Sequence, residues 1–327
     1  MGINRRDFLK LSAGSGLLLA SDVTPSFAAP AHLPHEAVGI LYDATLCIGC
    51  KSCMVNCKKY NSMPGGALHQ KDESIPYEYI TPNKIYDAPT DLSSKTLNII
   101  KTYQSGTGLN KDSVTDGFSF VKQHCLHCID PACASVCPVA ALHKDPDNGV
   151  VSYDKDKCIG CRYCQVACPF GVPKFEWDST TPRIVKCQLC HHRFKDGGYA
   201  ACCEFCPTGA SIFGKVVDLQ KEAKKRLTLE PGTYYDYPQQ TVNSSQKMPK
   251  KVTPYYDHVY GLDEAGGTQY LLLAGVPFDK LGFNPRITSK AYPELTWDYI
   301  AKIPFLIGGL IIAGAACHLA TRDKSEE

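Results

Sequence analysis

Eighteen cysteines in a chain of 327 residues are too many for ordinary core packing, and their spacing points to one chemistry. Cys47, Cys50, Cys53 and Cys57 stand in CIGCKSCMVNC as C-x2-C-x2-C-x3-C. Cys158, Cys161, Cys164 and Cys168 repeat that pattern in CIGCRYCQVACP. Cys125, Cys128, Cys133 and Cys137 widen the middle gap to four residues and keep the C-x3-C-P ending. A fourth group opens with Cys187 and Cys190 in CQLCHH and closes within AACCEFCP. An internal repeat at this density outranks any single motif. Because the first three groups end C-x3-C, the spacing pairs Cys206 with Cys202 and leaves Cys203 as a small buried thiol.

Three thiolates on a tight loop can surround one face of an iron–sulfur cube. The fourth, three residues on, ligates the other cluster of a pair, as in two-cluster ferredoxins. Gly49 and Gly160 sit where the loop backbone must take an unusual dihedral close to the cluster. Pro138, Pro169 and Pro207 follow the last cysteine of three groups and predict the start of a helix leading away; the first group has Lys58 there. Zinc knuckles do not use this spacing, and C-x2-C-x2-C packs thiols too densely for non-adjacent disulfides. Cys187 to His191 matches the C-x-x-C-H pattern of haem attachment, but that use would orphan the rest of its group. His124 and His127 read as supporting donors or surface residues.

Four groups imply four [4Fe–4S] clusters. The short gaps between the second, third and fourth groups make either neighbour a feasible partner. The long gap from Cys57 to Cys125 favours an inserted segment and nested pairing, first with fourth and second with third. Lys51, Lys58, Lys59, Lys155, Lys157, Arg162, Lys174 and Lys186 lie beside the loops. Most read as solvated charges, and some as offsets to cluster charge that help to set potentials. A net charge of +2 with scattered Lys and Arg gives no basic stripe for nucleic acid. No Gly-rich phosphate loop, nucleophile–base pair or paired-carboxylate site stands out, so the chain reads as a wire without a catalytic site of its own.

Other elements must hold these loops. TLNIIKTYQSGTG reads as strand and turn, as does IPYEYITPNKIYD. NGVVSYDKDKC is a turn and short strand feeding the third loop. VVDLQKEAKKRLTL predicts an amphipathic helix with Val217, Leu219, Ala223 and Leu227 inward. GGTQYLLLAGVPF is one strand-like run in an otherwise Tyr- and Pro-rich segment. The N-terminus joins Arg5-Arg6 to a mildly apolar run and a small-residue cleavage region, a twin-arginine signal peptide over 1–28. Ile303–Ala320 is uncharged and mostly apolar, just long enough to span a bilayer. Arg322 and Lys324 behind it place the tail in the cytoplasm, and hence the body on the periplasmic side. Gly309, Ala313 and Cys317 form a narrow small-residue face on that helix. Neither Cys317 nor His318 is assigned a role.

At this point the residues resemble the four-cluster ferredoxin-like subunits of respiratory oxidoreductases, in particular the hydrogenase-2-type branch. The resemblance runs through the leader, LYDATLCIGCKSC, SGTGLNKD, HCLHCIDPACASVCPVAAL, YYDHVYG with GGTQYLLLAGVP, and the C-terminal helix. It implies an α+β fold of two bacterial-type dicluster ferredoxin-like domains with nested pairing. Their expected bounds are 40–60 with 185–215, and 120–184; an inserted segment covers 61–119. A C-terminal extension over 216–298, a transmembrane helix over 299–320 and a cytoplasmic tail over 321–327 complete the chain. The implied ligands are Cys47, Cys50, Cys53 and Cys206 for one cluster and Cys57, Cys187, Cys190 and Cys202 for its partner. Cys125, Cys128, Cys133 and Cys168 then hold the third cluster, and Cys137, Cys158, Cys161 and Cys164 the fourth. The implied role is electron relay between the small and large subunits of a periplasmic nickel–iron hydrogenase and an integral-membrane quinone-reactive subunit. The competing assignments are the same relay in a formate dehydrogenase or other molybdopterin complex, and a zinc-stapled scaffold.

Overall fold

The computed structural model describes residues 32–62 and 91–321. The chain divides into two compact units, Met1–His32 and Leu33–Glu327, and every strand and helix among the described residues belongs to the second. The signal peptide, the strand expected in IPYEYITPNKIYD and the charged tail after Thr321 lie outside the described residues.

The organising strand is β1, Val38–Asp43, which leads directly into the first cysteine loop. The helix α1, Ser52–Tyr60, follows that loop. A small sheet then forms from β2 (Ile99–Gln104), β3 (Asn110–Lys111) and β4 (Gly117–Gln123), with β4 in the middle. After the short helix α2, Ala132–Ser135, come the hairpin β5 (Leu142–Lys144) and β6 (Val151–Tyr153). Next are α3, Tyr163–Ala167, and the pair β7 (Lys174–Phe175) and β8 (Ile184–Val185). The fourth cysteine group leads through α4, Ala201–Glu204, into β9, Ser211–Lys215, and α5, Val216–Leu227. Beyond it lie the hairpin β10 (Tyr234–Pro238) and β11 (Lys247–Lys251), then β12, Tyr270–Leu273. Two helices close the chain, α6 over Tyr292–Ile300 and α7 over Ile303–Thr321.

The late strand β12 lies parallel to β1, while β9 pairs with β1 antiparallel, giving the order β12-β1-β9. The C-terminal segment is therefore part of the scaffold that carries the first loop. Side chains alternate across this sheet as a two-residue period requires. Leu41, Ile212, Leu271 and Leu273 pack beneath α5 with Leu219 and Ala223. Ile40, Tyr42, Tyr270 and Leu272 face a core that includes Cys47, Cys53, Cys125, Cys202 and Cys203. Helix α5 buries Val216, Leu219, Ala223 and Arg226. Val217, expected inward, is 44% exposed. Leu219 and Ala223 are inward as expected and Leu227 packs at the edge of the same core, while Val216 takes the place of Val217 and Arg226 is held inward by Asp43 of β1.

The closeness of β1 to β12 depends on Gly39, where an added Cβ would stand 2.0 Å from the Gln269 carbonyl oxygen. Gln269 also donates through its side-chain amide to the Val38 carbonyl at 2.6 Å, so neither strand can yield freely. Gly39→Ala is expected to cost about 1–3 kcal/mol through overpacking. Thermal unfolding of the holoprotein would read this as a lowered midpoint, and an unchanged midpoint would show that the strands part cheaply.

Helix α7 has 19 residues, and its large side chains face outward: Phe305 is 82% exposed and Leu310 73%. The stretch Tyr292–His318, which includes most of α7, reaches a mean hydropathy of 2.0 and is long and apolar enough to cross a membrane.

Candidate metal centre

The cysteine loops share one backbone device. Gly49 and Gly160 take φ of +69° and +71° between the first and second cysteines, as expected. In the second and fourth groups the same position belongs to His127 and Leu189, with φ of +50° and +54°. The left-handed turn is thus a property of the loop, and glycine is one way to fill it. At Gly49 there is a second reason for glycine, since a Cβ would meet the Phe120 ring at 2.5 Å.

The helices fall elsewhere than the prolines suggest. Each group carries its helix between the third and fourth cysteines: α1, α2, α3 and α4. After Cys137, Cys168 and Cys206 the chain makes a β-turn, in which the cysteine carbonyl accepts from the N–H three residues on, Ala140, Gly171 and Gly209. Proline fits the second position of such a turn. Where Lys58 replaces it, helix α1 runs on past Cys57 to Tyr60.

Folding gathers thiols from distant groups. Cys47, Cys50, Cys53 and Cys206 line one small cavity, walled by Tyr42 and Ile100. Cys137, Cys158, Cys161 and Cys164 line another, walled by Leu142 and Ile184. The remaining thiols act on one another electrostatically. Burial pushes the Cys57 thiol well up, and Cys187, Cys190 and Cys202 beside it add to that. Burial likewise raises Cys128, with Cys125, Cys168 and Cys133 as its thiol neighbours. Asn61 Nδ2 stands 3.8 Å from Cys57 Sγ and 3.5 Å from Cys190 Sγ.

These donors fit a multi-iron cluster. Among the described residues no three His, Cys, Asp or Glu side chains converge as they would on a single metal ion. The thiols instead ring cavities, four to a ring around each of the two cavities. Backbone N–H groups of Gly49 and Leu189 point at Cys47 Sγ (3.4 Å) and Cys187 Sγ (3.3 Å), which favours thiolate charge. Burial pushes Cys53 and Cys133 up to about 12 and Cys164 up to about 11. Without a cation those thiols keep their protons at neutral pH, so metal binding must release them. Cys202 is drawn the other way, downward, by the hydrogen bond from Cys203, with the Lys122 ammonium also beside it.

The histidines hold backbone. His124, fully buried, donates from Nδ1 to the Cys125 carbonyl at 2.6 Å. His127, also buried, accepts the Val151 N–H at Nδ1, 3.0 Å. Burial holds both well below the usual imidazole range, so they are neutral. Neither is a surface residue. His191 contacts the Gln188 carbonyl at 3.2 Å.

Lys122 and Lys186 are buried among the loops, and Lys144 is half-buried there. Lys186, one of the loop lysines, donates to the Val151 and Cys187 carbonyls. Lys144 donates to the carbonyls of Cys128 (2.8 Å) and Gly149 (3.0 Å) and to Gln269 Oε1 (2.8 Å). Lys122 reaches Ser211 Oγ at 3.1 Å. Lys122, Lys144 and Asn61 escape sequence reasoning because Ser211, Gln269 and Cys190, which they meet in the fold, are distant in the chain, and lysine is ordinarily a surface residue.

The profile of the 4Fe-4S dicluster domain family matches residues 117–216, which hold the second, third and fourth groups. Across the longer chain, the hydrogenase-2 operon protein HybA of Escherichia coli O157:H7 is 43% identical over 285 residues, covering 85% of this chain and 83% of that protein. The chain belongs to the HybA family. More distant relatives lie around it. The formate dehydrogenase iron-sulfur subunit of Haemophilus influenzae is 32% identical, over 69% of this chain and 64% of its own. The iron-sulfur subunit of the nitrate-inducible formate dehydrogenase of Escherichia coli K12 is 30% identical, over 72% of this chain and 71% of its own. Family membership agrees with the mixed α+β architecture of small sheets and with an iron–sulfur role for the cysteines.

Proposed function

We propose that this protein is a membrane-anchored electron-relay subunit holding four [4Fe–4S] clusters on sixteen cysteines in nested pairs. The observation that carries the reading is the thiol-lined cavity at Cys47, Cys50, Cys53 and Cys206, which joins the two ends of the motif series. Such clusters, when bound, supply one-electron carriers whose potentials the surrounding protein adjusts.

The order of the four thiol sets supports a single line. Cys53 of the first set neighbours Cys202 of the second. Cys187 of the second neighbours Cys125 of the third. Cys133 of the third neighbours Cys164 of the fourth. Both ends are open, for Cys50 and Cys161 are exposed while most thiols between them are not. Around Cys161 stand Ile159, Tyr163, Val166 and Trp177, all more than 60% exposed, an apolar face of the kind that meets a partner. Helix α6, which leads into α7, packs against α2, the helix carrying Cys133. The Cys161 end is therefore assigned to the membrane subunit and the Cys50 end to the catalytic partner.

The domains follow the same division: 40–60 with 185–215 for the first pair, 120–184 for the second, and 61–119 as the insertion. The partner favoured by family membership is a nickel–iron hydrogenase, with the body periplasmic and α7 in the bilayer. Purifying the intact membrane complex through this chain should recover nickel–iron hydrogenase subunits and about sixteen iron atoms per chain. Recovery of a molybdopterin enzyme would move the relay to the formate dehydrogenase relatives. Zinc without iron would overturn the relay itself.

A further inference from the structure

The loops contain a fixed positive charge that the motifs do not announce. Lys122 lies on β4 and is 0% exposed. Its backbone carbonyl accepts the Tyr270 hydroxyl at 3.0 Å, which pins the residue to the central sheet. Its ammonium donates to Ser211 Oγ at 3.1 Å, and Ser211 itself lines the cavity of Cys47, Cys50, Cys53 and Cys206. The ammonium also stands beside Cys202, with Cys203 and Cys53 in electrostatic reach. Cys53 belongs to the first ligand set and Cys202 to the second. The groups that act most strongly on it are the thiols of Cys202, Cys203 and Cys53 and the Tyr270 hydroxyl. A lysine buried to this extent is rare without a counter-charge, and the thiolates of the two sets are the anions at hand.

We propose that Lys122 is a positioning and tuning residue shared by the first two clusters, whose fixed charge raises both of their reduction potentials. The inference rests on the relay reading and on its ligand sets. Adding an electron to a cluster makes it more negative by one unit. A buried cation beside a ligand of each cluster stabilises the reduced form of both, in a medium where screening is weak. Lys144, half-buried, lies at the Cys128 carbonyl of the third set, and Lys186, buried, at the Cys187 carbonyl of the second. The thiols that act most strongly on Lys122 include ligands of the first two sets and none of the third or fourth, so Lys122 should act on the first pair alone.

The test is a potentiometric EPR titration of the purified complex carrying Lys122→Met, Lys122→Gln or Lys122→Arg. Signals would be assigned through Cys50→Ser and Cys161→Ser. Iron content and spin count of the parent are read first, and fewer than four clusters there would sink the relay reading itself. With four present, Lys122→Met should lower two midpoint potentials by tenfold or more in the reduction equilibrium, about 59 mV for one electron. The other two should stay in place, and Lys122→Arg should restore the parent values. If the methionine variant loses a cluster, Lys122→Gln decides, because it keeps a donor for Ser211 and removes the charge. Four intact clusters with unmoved potentials, or an equal shift in all four, would overturn the tuning role.

Discussion

Serine in place of Cys202 is expected to cost the second cluster, whereas Cys203→Ala should leave all four. Cys202 and Cys203 are adjacent on α4 and both buried, so exposure does not separate them. Their neighbours do. Cys202 acts on both Cys57 and Cys190, and Cys203 is not among the principal neighbours of either. Cys203 is 0% exposed in the main core, where burial raises its thiol well above the ordinary range. It is the hydrogen-bond partner of Cys202, so in the proposed ligand arrangement its part is to support that thiol. Alanine is the better probe at 203, because serine there would bury a hydroxyl in need of a partner. Iron, sulfide and EPR spin count per chain measure the outcome. A cluster lost from the Cys203 variant and kept in the Cys202 variant would exchange the two assignments.

The second large effect is expected at Asp43, which ends β1 four residues before Cys47. Its Oδ1 accepts from the Thr45 N–H (3.0 Å) and hydroxyl (2.6 Å). Its Oδ2 accepts from the Tyr255 hydroxyl (2.7 Å) and Arg226 Nη1 (3.0 Å). Arg226 is fully buried, and its other carboxylate partner is Glu222, 2.8 Å from Nε. Asp43→Ala leaves a guanidinium in the core with half of its compensation removed, a loss of about 3–5 kcal/mol when one partner of a buried pair goes. The expected result is a large fall in the temperature at which cluster absorbance is lost. Asp43→Ala combined with Arg226→Met should recover much of it, because the orphaned charge has gone too. Equal losses in the single and double variants would show that Asp43 acts through Thr45 and Tyr255 alone.

Local chemistry explains what can be read directly. A cysteine loop binds metal through residues close in sequence, so C-x2-C spacing carries ligand identity without knowledge of the rest of the fold. The left-handed turns at Gly49 and Gly160, strands β2 and β6 and the apolar C-terminal helix are local in the same sense. Proline at 138, 169 and 207 is ambiguous between a helix start and a turn. Its fixed φ suits both, and the Cys carbonyl closing onto the residue three on selects the turn.

The rest depends on contacts between distant residues. Cys57 meets Cys187 and Cys202 only because β1 pairs with β9 and so places α1 against α4. The strand in GGTQYLLLAGVPF is recognisable by composition, but nothing local states that it lies parallel to β1. Val216 takes the place of Val217 in the core, and Arg226 is held inward by a buried carboxylate more than 180 residues away in the chain. A lysine at 122 looks like any surface lysine until the sheet closes over it. Sequence by itself therefore determined the iron-binding chemistry, which is written in short spacings. Only the tertiary structure decided which thiols share a site and which buried charges surround them, because those relations are set by strand pairing across the whole chain.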